Sequence, residues 1–154
     1  MKRSLLALAP LAAAPLLLAA PSASGNELIL TKAAARDAMV IGLDLSVTEP
    51  AVGFEVRIEV PAAAVDTSGC MSKIPGLQIA SCVFNGREVV VLALTEGLRP
   101  LSPGLLDLGE IRIRGLKGEA KVGQFVVSDA KGEPLSARVS EAGAAATPGH
   151  EALR

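Results

Sequence analysis

Residues 53–60 read Gly-Phe-Glu-Val-Arg-Ile-Glu-Val, so apolar and charged side chains alternate without interruption from Phe54 to Val60. In a β-strand, successive side chains point to opposite faces of the sheet, and this alternation therefore predicts a strand with one buried and one solvated face. The predicted buried side chains are Phe54, Val56, Ile58 and Val60, and the predicted solvated side chains are Glu55, Arg57 and Glu59.

Shorter versions of this pattern recur along the chain between clusters of turn-forming residues. They predict eight strands, at residues 28–30, 40–47, 53–60, 77–84, 88–95, 108–114, 120–128 and 135–139. The Asn85-Gly86 pair is a strong hairpin signal, because both residue types tolerate a positive φ. Short strands without a helical repeat predict an all-β fold, a two-sheet antiparallel β-sandwich, with a closed barrel as the alternative.

The N-terminus has the layout of a secretory signal peptide. Lys2 and Arg3 precede an apolar stretch over residues 5–20, and small residues follow at positions 22–25. The apolar stretch is short for a membrane span and contains two prolines, so we expect cleavage and no membrane anchor in the mature chain. The prediction is a signal peptide over residues 1–25 and an exported protein, periplasmic or extracellular.

The remaining chain is long enough to bury the core of one domain, which we place at residues 26–141. Residues 142–154 are small, polar and interrupted by a proline. Such a segment lacks the apolar side chains that would hold it against a core, so we expect a disordered tail.

The charge balance argues against a nucleic-acid partner. The chain has 15 basic and 16 acidic residues, and loss of Lys2 and Arg3 leaves 13 basic residues and a net charge of about -3. Nucleic-acid-binding surfaces combine a basic stripe with stacking aromatic side chains, whereas here the charges are interspersed and Trp and Tyr are absent. We therefore expect no nucleic acid among the ligands.

The inventory of reactive side chains predicts a protein that is not an enzyme. The one histidine, His150, falls in the predicted tail, so a Ser-His-Asp or Cys-His arrangement has no rigid base. A glycosidase needs only two carboxylates, but sugar sites usually stack rings on aromatic side chains. The aromatic residues, Phe54, Phe84 and Phe125, are assigned mostly to the core. Without an Asp-x-Asp cluster for calcium, we expect no catalytic residues, no metal and no cofactor.

Cys70 and Cys82 are the two cysteines of the chain. An oxidising compartment favours a disulfide between them, and two buried free thiols are the alternative. A zinc site would need further ligands, and the histidine in the tail is a poor candidate. The predicted disulfide would close a short loop and stabilise the fold by roughly 3 kcal/mol.

With its strands in this order, the chain resembles the cohesin domains and the related carbohydrate-binding β-sandwiches of bacterial polysaccharide degradation. The resemblance covers most of residues 27–140 and rests on five segments taken together. These are residues 51–59, the central strand at 89–95, the leucine-rich strand at 104–111, the Ser-Asp-Ala turn at 126–132 and the final strand at 135–139. The chain departs from the pattern after Glu59, where the family usually has a Tyr-Asp-Pro turn, and in its cysteine pair.

The resemblance implies a binding face on the sheet that contains residues 53–60, because cohesins dock a dockerin on the outer face of that sheet. The central strand would contribute either Val89, Val91 and Ala93 or Val90, Leu92 and Leu94. We expect the first set outside, because leucines fill a core better. The predicted face residues are Glu55, Arg57, Glu59, Val89, Val91, Val122, Gln124 and Val126.

Together with the predicted leader and the absence of catalytic groups, the resemblance predicts a secreted, non-catalytic binding module that recognises a dockerin-like protein domain or a polysaccharide in polysaccharide degradation. The absence of Trp and Tyr favours the protein partner, because they form the flat platforms that grip crystalline polysaccharide. The alternative from another class is a structural component of a periplasmic or cell-surface assembly, held by strand addition at an open sheet edge. The charged residues of the predicted face also have a simpler explanation, because the solvated side of a sheet usually carries charged side chains.

Overall fold

In the computed structural model, which describes residues 24–143, the chain forms nine β-strands and one short 3-10 turn. The predicted signal peptide and tail, apart from residues 24–25 and 142–143, lie outside the described residues. The strands are β1 (Asn26–Ala34), β2 (Met39–Val47), β3 (Gly53–Glu59), β4 (Ala64–Asp66), β5 (Leu77–Phe84), β6 (Glu88–Thr95), β7 (Gly104–Arg114), β8 (Lys121–Ser128) and β9 (Ala137–Ala142). The 3-10 turn is Glu96–Leu98, directly after β6.

The strands form two sheets, as the sequence predicts. One sheet has five strands in the order β4-β7-β2-β1-β9, and the other has four in the order β5-β6-β3-β8. Neighbouring strands are antiparallel except β1 and β9, which are parallel. The expectation of purely antiparallel sheets is therefore incomplete: the chain crosses from β8 in one sheet to β9 in the other, and such a crossover permits a parallel pair.

The core lies between the two sheets and is largely aliphatic. On β2 the alternating apolar side chains are buried, and so are the side chains predicted to face inward on β3. The inner faces of both sheets contribute to one continuous hydrophobic cluster. The buried residues of these two strands are Ile41, Leu43, Leu45, Val47, Phe54, Val56 and Ile58, and Val60 follows directly after β3. The period of two in the sequence therefore correctly identified the faces of these strands.

The segment between β3 and β5, where the sequence predicts no strand, contains a short strand and packs on the five-stranded sheet. It contains β4, which pairs with the end of β7, and it then passes close to Gly109 in the middle of β7. The N–H of Met71 donates to the carbonyl of Leu108 (2.7 Å), and the N–H of Glu110 donates to the carbonyl of Gly69 (3.2 Å). Gly109 has a φ of +91°, and a Cβ there would overlap the carbonyl oxygen of Gly69. Glycine at position 109 therefore permits this close approach.

The hairpin between β5 and β6 uses its turn residues differently from the prediction. Gly86 has a positive φ of 93°, but Asn85 does not. Asn85 instead bonds across the hairpin, its N–H donating to the carbonyl of Glu88 (3.1 Å). Its side-chain Oδ1 accepts from the N–H groups of Arg87 (3.0 Å) and Glu88 (2.9 Å). Asn85 thus caps the turn with its side chain, a role for which asparagine is well suited.

Cys70 and Cys82 form a disulfide with a Cα–Cα distance of 6.1 Å. Cys82 lies on β5 of the four-stranded sheet, whereas Cys70 forms an isolated bridge with Gly109 of the five-stranded sheet. The covalent link therefore joins the two layers at the β5 side of the sandwich.

Loss of the disulfide is expected to lower the free energy of unfolding by about 3 kcal/mol, because opening a loop of 12 residues returns entropy to the unfolded chain. The comparison is urea unfolding followed by circular dichroism, for the oxidised protein, the reduced protein and the double variant Cys70→Ser, Cys82→Ser. An unchanged midpoint in the reduced protein and the double variant would contradict this account.

Gly109→Ala is expected to destabilise the fold by more than about 2 kcal/mol, because it combines an unfavourable positive φ with overlap on Gly69. Gly132→Ala is the matched control: Gly132 also has a positive φ (79°), but nothing lies within 4 Å of a Cβ built there. The loss of stability in Gly132→Ala therefore measures the cost of the positive φ alone. Equal losses for the two variants in denaturant unfolding would show that the segment at Gly69 is not closely packed on β7.

Candidate binding face on the four-stranded sheet

The inner and outer faces of β6 are exchanged relative to our prediction. Val89 and Val91 are completely buried and Ala93 nearly so, while Val90, Leu92 and Leu94 lie on the outer side. The prediction that Val89 and Val91 face outward is therefore wrong. The cross-strand neighbours explain why: Ala93 pairs with Phe54, Val91 with Val56 and Val89 with Ile58. The β3 side chains supply much of the volume, so small residues fit beside them on β6.

Val122 is also wrongly predicted, and a β-bulge is the reason. Arg57 pairs with Gln124, but the next residue, Ile58, pairs with Val122, so Gly123 is an extra residue in β8. An extra residue reverses the alternation, and the side chain of Val122 packs against the core. Gln124 and Val126, on the other side of the bulge, face outward as predicted.

The charged residues of β3 lie on the outer side of the sheet and are held by ion pairs. Arg57 donates from Nε to Glu55 (2.5 Å) and from Nη1 to Glu88 of β6 (3.1 Å). The hydrogen bond with Glu55 and its charge raise the pKa of the Arg57 guanidinium above its ordinary value, and Glu88 adds to this effect. At the end of the strand, Glu59 pairs with Lys121 (3.4 Å). The result is a row of paired charges along the outer side of β3.

Apolar side chains flank this row on both sides. Ile79 and Val83 of β5, Leu92 of β6 and Val126 of β8 are each more than a third exposed, and Val90 and Leu94 are partly exposed between them. We call these six residues together with Glu55, Arg57 and Glu88 the outer face. The five-stranded sheet also exposes an apolar side chain, Leu105 of β7, but the neighbouring strand β2 presents Asp44 and Ser46 outward. Clustered exposed hydrophobic residues rimmed by charge are typical of contact surfaces.

A shallow depression of about 310 Å³ lies at one end of the outer face. Gly53 lies in the depression and pairs with Leu94 on one side and Ser128 on the other. Leu92, Leu94 and Val126 contribute apolar walls, and Glu55 contributes a carboxylate. The depression can therefore accept an apolar side chain that carries a positive or hydrogen-bonding group at its end.

Sequence reasoning identified three of the nine residues of the outer face, Glu55, Arg57 and Val126, and missed the six on β5 and β6. It assigned no outward residue to β5, although Ile79 and Val83 alternate with the inward residues Cys82 and Phe84. The alternation in residues 79–84 is a usable signal, and the Asn85-Gly86 hairpin signal already placed β5 beside β6. For β6, both faces are apolar, so the sequence held no periodic signal that chooses between them.

A larger cleft of about 680 Å³ lies at one end of the sandwich, beside Pro61 and the β5–β6 turn. Its charges are mixed. Glu59 pairs with Lys121, and Glu119 lies 3.7 Å from Lys32. These exposed pairs are screened by solvent, and Arg87 and Lys117 add two further basic groups to the lining.

Within residues 24–143, no group of three or more His, Cys, Asp or Glu side chains is placed to hold a metal ion. The same part of the chain contains no helix that is long and apolar enough to span a membrane.

Comparisons with known proteins identify the fold. No family model matches the sequence, and no curated protein matches it. Among solved structures, a non-cellulosomal cohesin from the hyperthermophilic archaeon Archaeoglobus fulgidus is similar with a TM-score of 0.54 and 11% identity, covering 78% of this chain and 88% of that one. A chain of the CaDoc0917–CaCohA2 complex is similar with a TM-score of 0.50 and 12% identity, covering 77% and 98%. The chain therefore has a cohesin-like β-sandwich fold.

The orientation of β6 can be tested with two adjacent substitutions. Val91→Lys buries a charge without a partner and is expected to destabilise the fold by more than about 3 kcal/mol. Leu92→Lys places the same side chain on the outer face beside Glu55 and is expected to change stability by less than about 1 kcal/mol. Urea unfolding gives both values. If Leu92→Lys is the more damaging substitution, the assignment of the two faces is incorrect.

Proposed function

We propose that this chain is an exported, non-catalytic binding module whose outer face docks a protein domain of the dockerin type. The observation that carries the proposal is the cluster of exposed apolar side chains around the Glu55–Arg57–Glu88 ion pairs, on one side of a cohesin-like sandwich. One of the structural neighbours comes from a CaDoc0917–CaCohA2 complex, which supports a protein domain as the partner. Export rests on the N-terminal leader, and a role in polysaccharide degradation rests on the family resemblance.

The apolar residues of the outer face can supply the affinity. Four apolar side chains stay in contact with water after folding, so their burial is still available to favour binding. A partner that covers them gains the free energy of burying Ile79, Val83, Leu92 and Val126. Affinity in such interfaces is concentrated in a few residues near the centre. Leu92 lies between β5 and β3 in the sheet and pairs with Ser81 and Glu55, which makes it the central apolar residue.

The fixed charges can supply the specificity. Arg57 is held between two carboxylates, so its guanidinium does not need to be ordered when a partner arrives. Charge groups held in this way favour a partner with complementary charge and reject one that brings like charge to the same position. The depression over Gly53, with the Glu55 carboxylate at its wall, would favour a partner residue that is apolar along its stem and basic at its tip.

A polysaccharide is the second ligand to be considered. Carbohydrate surfaces usually stack on aromatic rings, and the chain has three Phe, no Trp and no Tyr. Phe54 is buried, and Phe84 and Phe125 pack against the core, so the outer face offers no aromatic platform. A glycan would have to bind through Gln124, Ser128 and the charged side chains alone, and the protein partner is favoured.

Docking on the outer face predicts that Leu92→Lys strongly weakens partner binding and that Leu105→Lys does not. Leu105 is 65% exposed on β7 of the other sheet, so the control introduces the same charge on the opposite side of the sandwich. The immobilised mature protein is used to capture partners from the producing culture, and calorimetry with each purified partner then measures the loss. We expect at least a hundredfold weaker binding for Leu92→Lys, as for other central contact residues.

Binding to a panel of soluble and insoluble glycans is measured in parallel with the same three proteins. If a glycan binds and no protein does, the ligand is a carbohydrate and the proposal of a dockerin-type partner is wrong. Equal affinity of a captured protein for both variants would mean that the outer face is not the docking surface, provided that circular dichroism shows both variants to be folded.

A further inference from the structure

The sandwich has four strands at sheet edges, and three of them are protected in ways that natural proteins commonly use. β4 is only three residues long. β9 carries Arg138 and Glu141. β8 contains the bulge at Gly123, and one end of it is covered where the N–H of Leu135 donates to the carbonyl of Val127 (2.8 Å). These three edges are poor templates for pairing with another strand.

β5 is the fourth edge, and it is unprotected within the described part of the chain. Its eight residues read Leu-Gln-Ile-Ala-Ser-Cys-Val-Phe, without a charge, a proline or a glycine. Val83 is 54% exposed, Ile79 is 41% exposed, and Ala80 is exposed as well. A β-bulge at Gln78 interrupts the start of the strand, and the uncharged, regularly paired stretch from Ile79 to Phe84 beyond it is a site for strand addition.

The alternation of hydrogen bonds shows which backbone groups of β5 are available. The N–H of Asn85 donates to Glu88 on β6, and on the other side of β6 the N–H of Thr95 donates to Val52 (2.9 Å). Because bonded residues alternate along an antiparallel strand, Ser81 and Val83 bond to β6. The residues between them, Ala80, Cys82 and Phe84, point their N–H and C=O groups away from the sheet, and no backbone group among residues 24–143 pairs with them.

We propose that two copies of this chain pair antiparallel through β5, around a two-fold axis at Cys82, to form one continuous eight-stranded sheet. Cys82 would lie opposite the partner's Cys82, and Ala80 opposite the partner's Phe84. The free groups of these residues can then form about six backbone hydrogen bonds across the axis. The proposal does not depend on the proposed function of the outer face.

A second copy suits this edge because the strand is complementary to itself. A two-fold axis places equal charges near one another, and a strand without charges avoids that repulsion. It also sets a small exposed residue, Ala80, against a large one, Phe84. The disulfide at Cys82 holds the middle of the strand in place before pairing, which reduces the entropy lost on association.

The interface would be small, so the dimer should dissociate readily and be visible only at high concentration. Sedimentation equilibrium of the mature protein, from roughly 10 µM to 1 mM, covers the range expected for such an interface. We expect a monomer–dimer equilibrium. A monomer over the whole range would overturn the proposal.

Ala80→Pro tests the edge directly, because it removes an outward N–H while leaving the ladder to β6 intact. Ala80→Val, which keeps the N–H, is the control. We expect Ala80→Pro to raise the dissociation constant at least about tenfold, since each copy loses a bond across the axis. Ala80→Val should dimerise like the unmodified protein. An Ala80→Pro protein that is folded and dimerises with unchanged affinity would overturn the proposal.

Val83→Lys serves if Ala80→Pro fails to fold. It puts like charges on the outer side of both strands near the axis and should also suppress the dimer. Leu92→Lys, which lies one strand further into the sheet, should leave dimerisation unchanged. A dimer that survives Val83→Lys, or one that is lost in Leu92→Lys, would overturn the pairing through β5.

Discussion

Burial of aliphatic side chains between two sheets is the interaction on which this structure depends. The chain has only three aromatic residues, and the largest completely buried side chains are Leu, Ile and Val. Each such side chain contributes roughly 1.5–3 kcal/mol when it leaves water. The period of two that places these residues on the inner faces also decides what remains outside. The outer face and the open edge are therefore consequences of the same alternation that builds the core.

The sequence was sufficient to predict a two-sheet sandwich and the bounds of β5 and β6, because these elements have alternating patterns or clear turn signals. It was insufficient where the pattern is ambiguous or interrupted. Val89–Leu94 is apolar on both faces, so only the pairing of Ala93 with Phe54 decides its orientation. The bulge at Gly123 reverses the face of Val122 without any signal in the alternation itself.

The pairing of strands that are far apart in the chain could not be predicted from the sequence either. β1 and β9, at the two ends of the domain, form a parallel pair. β4 is too short to show an alternating pattern of its own. The approach of residues 69–71 to β7 depends on a single glycine, Gly109, inside an otherwise ordinary strand. Such contacts arise from the packing of the whole molecule, and local patterns carry little information about them.

The two proposed surfaces lie on the same sheet and share β5. The side chains of Ile79 and Val83 belong to the outer face. The backbone N–H and C=O groups of Ala80, Cys82 and Phe84 form the open edge. One strand can contribute to both because the two sets of groups point in different directions, the first perpendicular to the sheet and the second in its plane. The disulfide anchors this strand to the segment that packs on β7, so it fixes the geometry of both surfaces at once.

The most direct test of the account is the solvent accessibility of methyl groups on neighbouring residues of β6, measured by NMR with a soluble paramagnetic gadolinium chelate. The account predicts strong relaxation enhancement for the methyl groups of Leu92 and little for those of Val89 and Val91, with Val83 and Val126 also strongly affected. Strong enhancement at Val91 together with protection of Leu92 would contradict it, because the inner and outer faces of the four-stranded sheet would then be exchanged.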